Sequence, residues 1–367
     1  MTIPIIIGLI IGGWVLWVAV LADQLFPNSI TGSIIDMAYV PDKNGGGVVW
    51  FQTDGSFYYT SRVDTPSSMS ISTESLFNKI YTYIYDPIQK KVIQRTKTNY
   101  LNTPPQPTIF LLNRQIWMVA PTTDRSEAQI EIYDADTQKK VTDIWSFIAK
   151  YPQLKSGISN LTIDKETHRF TIETHDGQNL LYDPVSAGIY KDAQELQKSQ
   201  KNGDETTSVF ALTGTDQHRS NLYLVTGPRS KIEGESFTGE VDNQETMKFF
   251  YNASSKLMAP DTVFLDAAMI YQGKDFAVVI SQDQIAKNAS RLLTCVDNTG
   301  KILWTLPQSQ LFQEIAVTES NDFSDIFFVK DKFHGAHEGD LFIFTVEKLG
   351  MIAVDAKTGE KKWTLKI

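Results

Sequence analysis

Residues 353–363 read Ala353-Val354-Asp355-Ala356-Lys357-Thr358-Gly359-Glu360-Lys361-Lys362-Trp363 and carry the most informative pattern in the chain. The first three residues end a β-strand with a small inward side chain, and Asp355 to Gly359 forms a tight turn. An aspartate can hydrogen-bond its own backbone at such a turn, and glycine readily takes a positive φ. Trp363 then places a large apolar side chain on the returning strand. The pattern predicts a β-hairpin whose tryptophan stacks against a neighbouring element.

The same unit recurs upstream, one residue shorter, from Cys295 to Trp304. Weaker copies keep an aspartate at the end of an apolar run. The turn aspartates are Asp86, Asp134, Asp183, Asp242, Asp297 and Asp355. A spacing of about 50 residues in strand-rich sequence is typical of propeller blades, each a four-stranded antiparallel sheet. The sequence therefore predicts an all-β fold, a single β-propeller of six to eight four-stranded blades.

The last two copies resemble the repeat of the pyrroloquinoline-quinone-like, or quinoprotein-like, β-propellers of bacteria, with its Ala-x-Asp-x-x-x-Gly-x-x-x-Trp signature. The matching positions are Ala353, Asp355, Gly359 and Trp363 in the last copy and, with one deletion, Asp297, Gly300 and Trp304 in the copy before it. Cys295 stands in place of the first alanine. The resemblance implies a tryptophan that docks between adjacent blades, and it is closest to membrane-tethered periplasmic scaffolds. The chain departs from the lipoproteins of that type because it has no lipobox cysteine.

The N-terminal segment from Pro4 to Ala22 contains no charged side chain. Its 19 residues span roughly 28 Å as a helix, about one hydrocarbon core, so they predict one transmembrane helix. A cleaved signal peptide is the alternative, with Val20 and Ala22 as the small residues before a cut at Asp23. The uncleaved anchor is favoured because no basic residue precedes the run and the run is long for a signal peptide.

These features predict three segments: a membrane anchor or signal over 1–22, a linker and first-strand region over 23–46, and a β-propeller over 47–367. The first strand is expected near Ser33–Val40. We expect a single-pass protein of the inner, or cytoplasmic, membrane with the propeller in the periplasm or outside the cell. A cleaved, secreted protein is the second choice.

The chain carries 34 Lys and Arg against 43 Asp and Glu, for a formal net charge of −9, with no basic block. Because nucleic-acid binding requires clustered Lys and Arg to neutralise phosphates, no nucleic-acid partner is predicted. The only cysteine, Cys295, excludes an intrachain disulfide. It lies at an alanine-like strand position and is interpreted as a small buried hydrophobe. No cofactor is predicted.

Three further elements are expected from local patterns. Thr53-Asp54-Gly55-Ser56 predicts a hairpin between Val48–Phe51 and Phe57–Thr60. A helix is expected over 142–151 with Thr142 as its cap, and a short helix or loop over 192–207. The final strand is expected at the outer edge of a closing blade that takes its missing partner from residues 31–60.

The densest set of ligand-type side chains lies in one short segment near the C-terminus. Its members are His334, His337, Glu338 and Asp340. They are weak metal candidates, because a glycine-containing loop between Phe333 and Leu341 does not converge donors on one ion as a helix does. Nucleophile-elbow, phosphate-loop and zinc-helix motifs are absent from the sequence, and no catalytic or cofactor-binding residue is predicted.

Two functions from different classes fit these observations. The first is a membrane-anchored, non-catalytic propeller outside the cytoplasm that acts as a scaffold and binds a protein partner. The alternative is an enzyme, or a small-molecule or metal binder, that uses the central funnel of a quinoprotein-like propeller. A bound ion or convergent polar residues at the blade tops would favour the alternative.

Overall fold

The computed structural model describes residues 29–42, 47–55, 57–65, 68–77, 80–98, 107–122, 127–164, 168–199, 206–215, 218–228, 254–286, 289–313, 333–346 and 349–367. The predicted membrane segment 4–22 and the predicted turn at Asp242 lie outside these ranges. Within them, no helix has the length and apolar character needed to cross a membrane. The anchor therefore stays a prediction.

The chain divides into two compact units at Asp192, with Ile367 counted in the first. The strands of the first unit are β1 (Ser33–Pro41), β2 (Gly47–Asp54), β3 (Phe57–Thr65), β4 (Ser68–Phe77), β5 (Ile80–Asp86), β6 (Lys91–Thr98), β7 (Thr108–Leu112), β8 (Gln115–Ala120), β9 (Gln129–Asp134), β10 (Lys140–Asp143), β11 (Ile158–Ile163), β12 (Phe170–Thr174), β13 (Asn179–Asp183) and β14 (Gly188–Tyr190). They form three four-stranded antiparallel sheets: sheet A (β1-β2-β5-β6), sheet B (β7-β8-β9-β10) and sheet C (β11-β12-β13-β14). The hairpin β3–β4 pairs only with itself among the described strands.

The second unit contains the remaining strands. They are β15 (Thr206–Gly214), β16 (Arg219–Pro228), β17 (Ser254–Met258), β18 (Phe264–Gln272), β19 (Phe276–Gln282), β20 (Arg291–Asp297), β21 (Ile302–Pro307), β22 (Phe333–Glu338), β23 (Leu341–Val346), β24 (Gly350–Asp355) and β25 (Lys361–Lys366). Sheet D (β15-β16-β17) and sheet E (β18-β19-β20-β21) join into seven strands through two residue pairs between β16 and β18. Sheet F is β22-β23-β24-β25. The coarse prediction of an all-β chain made of several four-stranded antiparallel sheets is confirmed.

The helices that the structure describes are short. They are α1 (Ile144–Lys150), a 3₁₀ turn (Pro152–Leu154), α2 (Ala193–Ser199) and α3 (Gln308–Leu311). Helix α1 confirms the helix expected after β10, but its cap is Asp143 rather than Thr142. The Asp143 carboxylate accepts a hydrogen bond from the Ser146 backbone N–H at 2.8 Å, which satisfies one of the open donors at a helix start.

Each described turn aspartate ends the third strand of a four-stranded sheet, and its carboxylate accepts hydrogen bonds from the following backbone. The aspartates that do so are Asp86, Asp134, Asp183, Asp297 and Asp355. At Asp134 the bonds from the Thr137 backbone N–H and hydroxyl lower the pKa of the carboxyl. The Asx-turn chemistry thus places one turn in each of sheets A, B, C, E and F.

The same turn demands a left-handed backbone near its end. The residues there have positive φ: Lys90 at 53°, Gln138 at 60°, Ala187 at 52°, Gly300 at 93° and Gly359 at 72°. Non-glycine residues pay steric strain for such angles. Only sheets E and F have glycine at this position of the turn. In sheet F, the side chain that packs against the glycine leaves no room for a Cβ atom.

Two predicted strand arrangements near the chain ends are wrong. The turn at residues 53–56 does not join a hairpin, because β2 pairs with β1 and β5 while β3 pairs with β4. Among the described strands, the final strand β25 is an edge strand, as expected, but the four strands of sheet F all come from residues 333–366 and none comes from 31–60. β1 pairs with β2 along its length, so sheet A begins at Ser33 rather than at residue 47.

Hydrophobic cores lie between successive sheets within each unit. Sheets A and B share a core that includes Ala38, Trp50 and Met118, and sheets B and C share one that includes Trp117 and Phe170. Sheets E and F pack around Val278, Trp304 and Phe344. Because each sheet contributes side chains to a neighbour, these inter-sheet layers are where a pocket can open.

Candidate binding site

The two signature tryptophans occupy one register position, on the fourth strand and opposite a small residue of the third. Trp363 pairs with Ala353, and Trp304 pairs with Cys295. The indole N–H of Trp304 donates to the Ala356 carbonyl of sheet F at 2.9 Å. Trp304 is 6% exposed, so its indole is buried between sheets E and F.

Gly359 completes this docking. A Cβ built on Gly359 would lie 2.8 Å from Cγ of Trp304, closer than carbon atoms approach. Glycine at the end of the sheet F turn therefore has two effects. It leaves room for the Trp304 indole, and it adopts the left-handed backbone without strain. Cys295 is fully buried and burial raises the pKa of its thiol to about 12, in agreement with the interpretation as a small hydrophobe.

The first three sheets lack this tryptophan. Their fourth strands carry Gln94 opposite Ile84, Thr142 opposite Ile132 and Tyr190 opposite Leu181. Gln94 and Thr142 follow their turn aspartates by the same eight residues that separate Trp363 from Asp355. Aligning the weak copies on the aspartate would have found these polar replacements in the sequence.

A cavity of about 280 Å³ opens between sheets A and B, and Gln94 lies in its wall. We call it the A–B pocket. Its floor is formed by Trp50 and Gln52 of β2, which are 2% and 3% exposed. Its mouth is lined by Gln94, Thr96 and Lys140 on the edge strands β6 and β10, which are exposed. The pocket thus opens where sheets E and F are closed by Trp304.

The floor of the A–B pocket carries polar atoms that the described residues do not satisfy. Neither the indole Nε1 of Trp50 nor Oε1 of Gln52 has a hydrogen-bond partner among them. The amide Nε2 of Gln52 donates to the Thr82 hydroxyl at 2.9 Å, which fixes the amide and leaves its oxygen as the open acceptor. An unsatisfied buried polar atom costs about 1–3 kcal/mol, so a water molecule or a polar ligand group that bonds these atoms would be stabilised at the floor.

The charges in the pocket wall are paired with each other. Lys140 donates to one carboxylate oxygen of Glu131, and the Tyr133 hydroxyl donates to the other at 2.8 Å. The Tyr133 ring lies against Trp50, with centroids 5.2 Å apart. The wall therefore offers an aromatic surface and a compensated ion pair.

A smaller cavity of about 170 Å³ lies between sheets B and C, with Thr142 in its wall. We call it the B–C pocket. Its lining is more aromatic and includes Trp117, Phe147, Tyr151 and Tyr182. Burial, together with the hydrogen bond from Tyr151, raises the pKa of Tyr182. The second replacement of the docking tryptophan thus also coincides with a pocket.

Exposed apolar side chains occur at repeated positions in the first unit. We call them the apolar edge, and they are Ile88 and Ile93 in sheet A, Val141 and Trp145 after the sheet B turn, and Val185 in sheet C. Ile93 and Val141 directly precede Gln94 and Thr142, so strand alternation turns them away from the inter-sheet layer. Trp145 is 73% exposed on α1.

The surroundings of Trp145 are basic in an acidic chain. Four lysines, Lys139, Lys140, Lys150 and Lys155, and one acidic residue, Asp143, lie within 139–155. All four lysines are exposed. An exposed aromatic side chain in a lysine-rich segment suits a partner with an apolar socket and acidic residues beside it.

The metal candidates whose side chains the structure describes, His337, Glu338 and Asp340, do not form a metal-type cluster. The expected loop between Phe333 and Leu341 is wrong, since Phe333–Glu338 is strand β22 and only Gly339 and Asp340 form the turn. The strand has glycine at position 335 because the Phe342 ring lies over it. A Cβ atom on Gly335 would be only 2.4 Å from that ring. His334 pairs with Thr345, while His337 and Glu338 alternate across the strand. The described residues hold no group of three or more metal-type ligands.

His337 and Glu338 are instead shaped by packing. The His337 ring lies 4.7 Å from the Phe276 ring, edge to face, and burial lowers the pKa of His337. Burial raises the pKa of Glu338 to about 7. Burial and the Glu338 charge raise the pKa of Tyr271 to about 12. These shifts mark a half-buried polar corner between sheets E and F.

Comparison with known proteins leaves the family open. No family model matches the chain, and no curated protein sequence matches it. Among solved structures, hydrazine synthase of Kuenenia stuttgartiensis is similar over 89% of this chain and 78% of its own, at 9% identity and a TM-score of 0.31. The designed protein Ika8 (92% and 87% covered, 9% identity, TM-score 0.23) and Sqt1 of Saccharomyces cerevisiae (92% and 86%, 8%, 0.25) are also similar. TM-scores this low carry no argument about fold or function.

Proposed function

We propose that this chain is a membrane-anchored protein-binding scaffold that docks its partner on the apolar edge. The observation that carries the proposal is Trp145, a tryptophan 73% exposed on a helix inserted between sheets B and C. Tryptophan and tyrosine are enriched among the residues that dominate the energetics of protein interfaces. The exposed lysines of the same segment, Lys139, Lys150 and Lys155, favour a partner with acidic residues.

The architecture proposed for the scaffold is a closed propeller with quinoprotein-like repeats. Support comes from four-stranded antiparallel sheets that recur with an Asx turn at the same place in each. A second support is Trp304, which docks on the next sheet as the repeat signature implies. Closure would give the partner a rigid rim on which the apolar edge lies.

The proposed location is the periplasm or the outside of the cell, with residues 4–22 as the anchor in the inner membrane. The apolar length of that segment supports an anchor. Labelling of an introduced cysteine can test this location, because Cys295, the single cysteine of the chain, is buried. Gln153→Cys places a thiol at an exposed position in an otherwise unreactive chain. A membrane-impermeant maleimide should label it in intact spheroplasts, and labelling only after lysis would place the domain in the cytoplasm instead.

Site-specific photo-crosslinking tests the docking surface. Benzoylphenylalanine at position 145 of the full chain, in its own membranes, should give one discrete adduct with a partner. The matched control is position 263, where Val263 is 50% exposed in the second unit. Equal adduct patterns at 145 and 263, or none at 145, would refute the apolar edge as the docking surface.

Partner binding also has a direct energetic test. Trp145→Ser should weaken the captured complex at least about 30-fold, the effect of losing a hot-spot side chain of about 2 kcal/mol. Because Trp145 is exposed, its loss should leave the unfolding midpoint unchanged. An unweakened complex would show that the partner docks elsewhere.

A further inference from the structure

The A–B pocket is a second feature that points to a ligand, independently of the apolar edge. Its floor is deep: Trp50 and Gln52 are more than nine-tenths buried, yet one polar atom of each has no partner among the described residues. Its mouth is open to solvent at Gln94 and Lys140. Its volume of about 280 Å³ is just below the range of ligand pockets, which begins at roughly 300 Å³, so it suits a small ligand.

The unsatisfied atoms define the chemistry of the ligand. The Trp50 indole can only donate a hydrogen bond, and the free oxygen of Gln52 can only accept one. Both side chains belong to β2 and are two residues apart, so they lie on the same face of the strand. A ligand that meets both must carry an acceptor for the indole N–H and a donor for the amide oxygen, and hydroxyl groups supply both, since each hydroxyl can donate and accept.

The remaining lining narrows the class. Further amide and hydroxyl side chains, among them Thr82, Gln94 and Thr96, surround the floor. The only charges in the lining, Glu131 and Lys140, pair with each other, so the pocket offers no uncompensated charge to an ionic ligand. The rings of Trp50 and Tyr133 supply an apolar surface.

We infer that the A–B pocket binds a neutral polyhydroxylated ligand of about one sugar ring. Its hydroxyls meet Trp50 Nε1 and Gln52 Oε1 at the floor, and its less polar face lies on the aromatic wall. The proposal goes beyond the scaffold function, because the pocket faces the inter-sheet layer and not the apolar edge.

Saturation-transfer NMR on the full chain in nanodiscs tests the proposal with defined probes. The neutral set is D-glucose, D-galactose, N-acetyl-D-glucosamine and maltose. The charged set is D-glucuronate and D-glucosamine. At least one neutral monosaccharide should bind, and the charged sugars should bind no more tightly. No binding by any neutral sugar, which would mean that water alone fills the pocket, overturns the proposal, as does a charged sugar that binds tenfold tighter.

Three variants locate the binding. Gln94→Trp fills the A–B pocket with an indole, at the position that Trp304 has in sheet E. This variant should abolish the saturation-transfer signal of the sugar. Gln52→Leu removes the acceptor at similar size and should weaken binding at least about tenfold, the effect of one unmet buried hydrogen bond. Thr142→Trp fills the B–C pocket instead and should leave binding unchanged. Binding that survives both Gln94→Trp and Gln52→Leu overturns the assignment, and Gln52→Leu alone decides it should Gln94→Trp fail to fold.

Discussion

The interface between sheets E and F and the interface between sheets A and B use the same repeat but are filled differently. In the first, Trp304 lies on the Ala356–Gly359 turn and its indole N–H is bonded. In the second, Gln94 holds the tryptophan position and a cavity of about 280 Å³ remains. The strands, the Asx turn and the left-handed turn residue are shared. One side chain per repeat therefore decides whether an inter-sheet layer is a closed core or a pocket.

Removal of the Trp304 indole should have the largest effect on the free energy of unfolding. Trp304→Ala leaves a cavity between sheets E and F and removes the indole hydrogen bond to the Ala356 carbonyl, and we expect it to cost about 3–5 kcal/mol of unfolding free energy. Urea unfolding measures the loss. Trp145→Ala is the matched control, since that exposed tryptophan should change stability by less than about 0.5 kcal/mol. A Trp304→Ala loss as small as the control's would refute the docking role.

The glycine under the Trp304 indole should come next. Gly359→Ala forces a methyl group against the Trp304 ring, as well as strain at φ 72°, and should cost about 2–4 kcal/mol. Gly177→Ala has strain alone, because nothing lies within 4 Å of its Cβ position, and should cost about 1 kcal/mol. Equal losses would mean that the indole does not rest on Gly359. Ala187 already occupies the equivalent turn of sheet C at φ 52°, where no tryptophan docks.

The interface between sheets E and F should also respond to pH. Burial raises the pKa of Glu338 from 4.5 to about 7 at the corner between these sheets. Between these pKa values the folded state holds a proton that the unfolded state has released. The contribution of Glu338 to stability should therefore be greatest below about pH 4.5, fall as pH rises to about 7 and then level off.

Glu338→Gln isolates this term. The variant keeps the shape of the side chain and cannot ionise, so the part of the stability slope due to Glu338, about 2 kcal/mol for a partly exposed carboxyl, should disappear. Unfolding measured between pH 4.5 and 8 in both proteins gives the difference. A slope unchanged in Glu338→Gln would mean that this carboxyl ionises normally in the folded protein.

The repeat could be predicted from the sequence because its determinants are local. An aspartate that accepts the backbone N–H groups of its own turn needs only a few residues, and the aspartates at 86, 134, 183, 297 and 355 all do so. The wrong predictions concern long-range pairing. Nothing near Asp54 and Gly55 reveals that β2 pairs with β5 across the inserted β3–β4 hairpin.

The loop predicted between Phe333 and Leu341 was wrong for the same reason, a long-range contact. Gly335 suggested a loop, but it lies within a strand because the Phe342 ring covers it, a contact between two strands. The A–B pocket was also missed, although its signal is in the sequence. Eight residues after Asp86 the expected tryptophan is Gln94, and a missing apolar plate in a repeated interface is as informative as a motif.

The smallest effect on stability should come from placing a tryptophan between sheets A and B, where the repeat lacks it. Gln94→Trp sets an indole in the space between sheets A and B, opposite Ile84 as Trp304 is opposite Cys295. Cavity filling of this kind raises stability by about 0.5–2 kcal/mol, read as a higher urea midpoint. The sheet B turn sets a limit, because Gln138 stands where sheet F has Gly359 and its side chain competes for the same space. The double variant Gln94→Trp/Gln138→Gly should therefore gain more than the single one. If neither variant gains stability while Trp304→Ala is costly, the two interfaces differ in backbone spacing and not in one side chain.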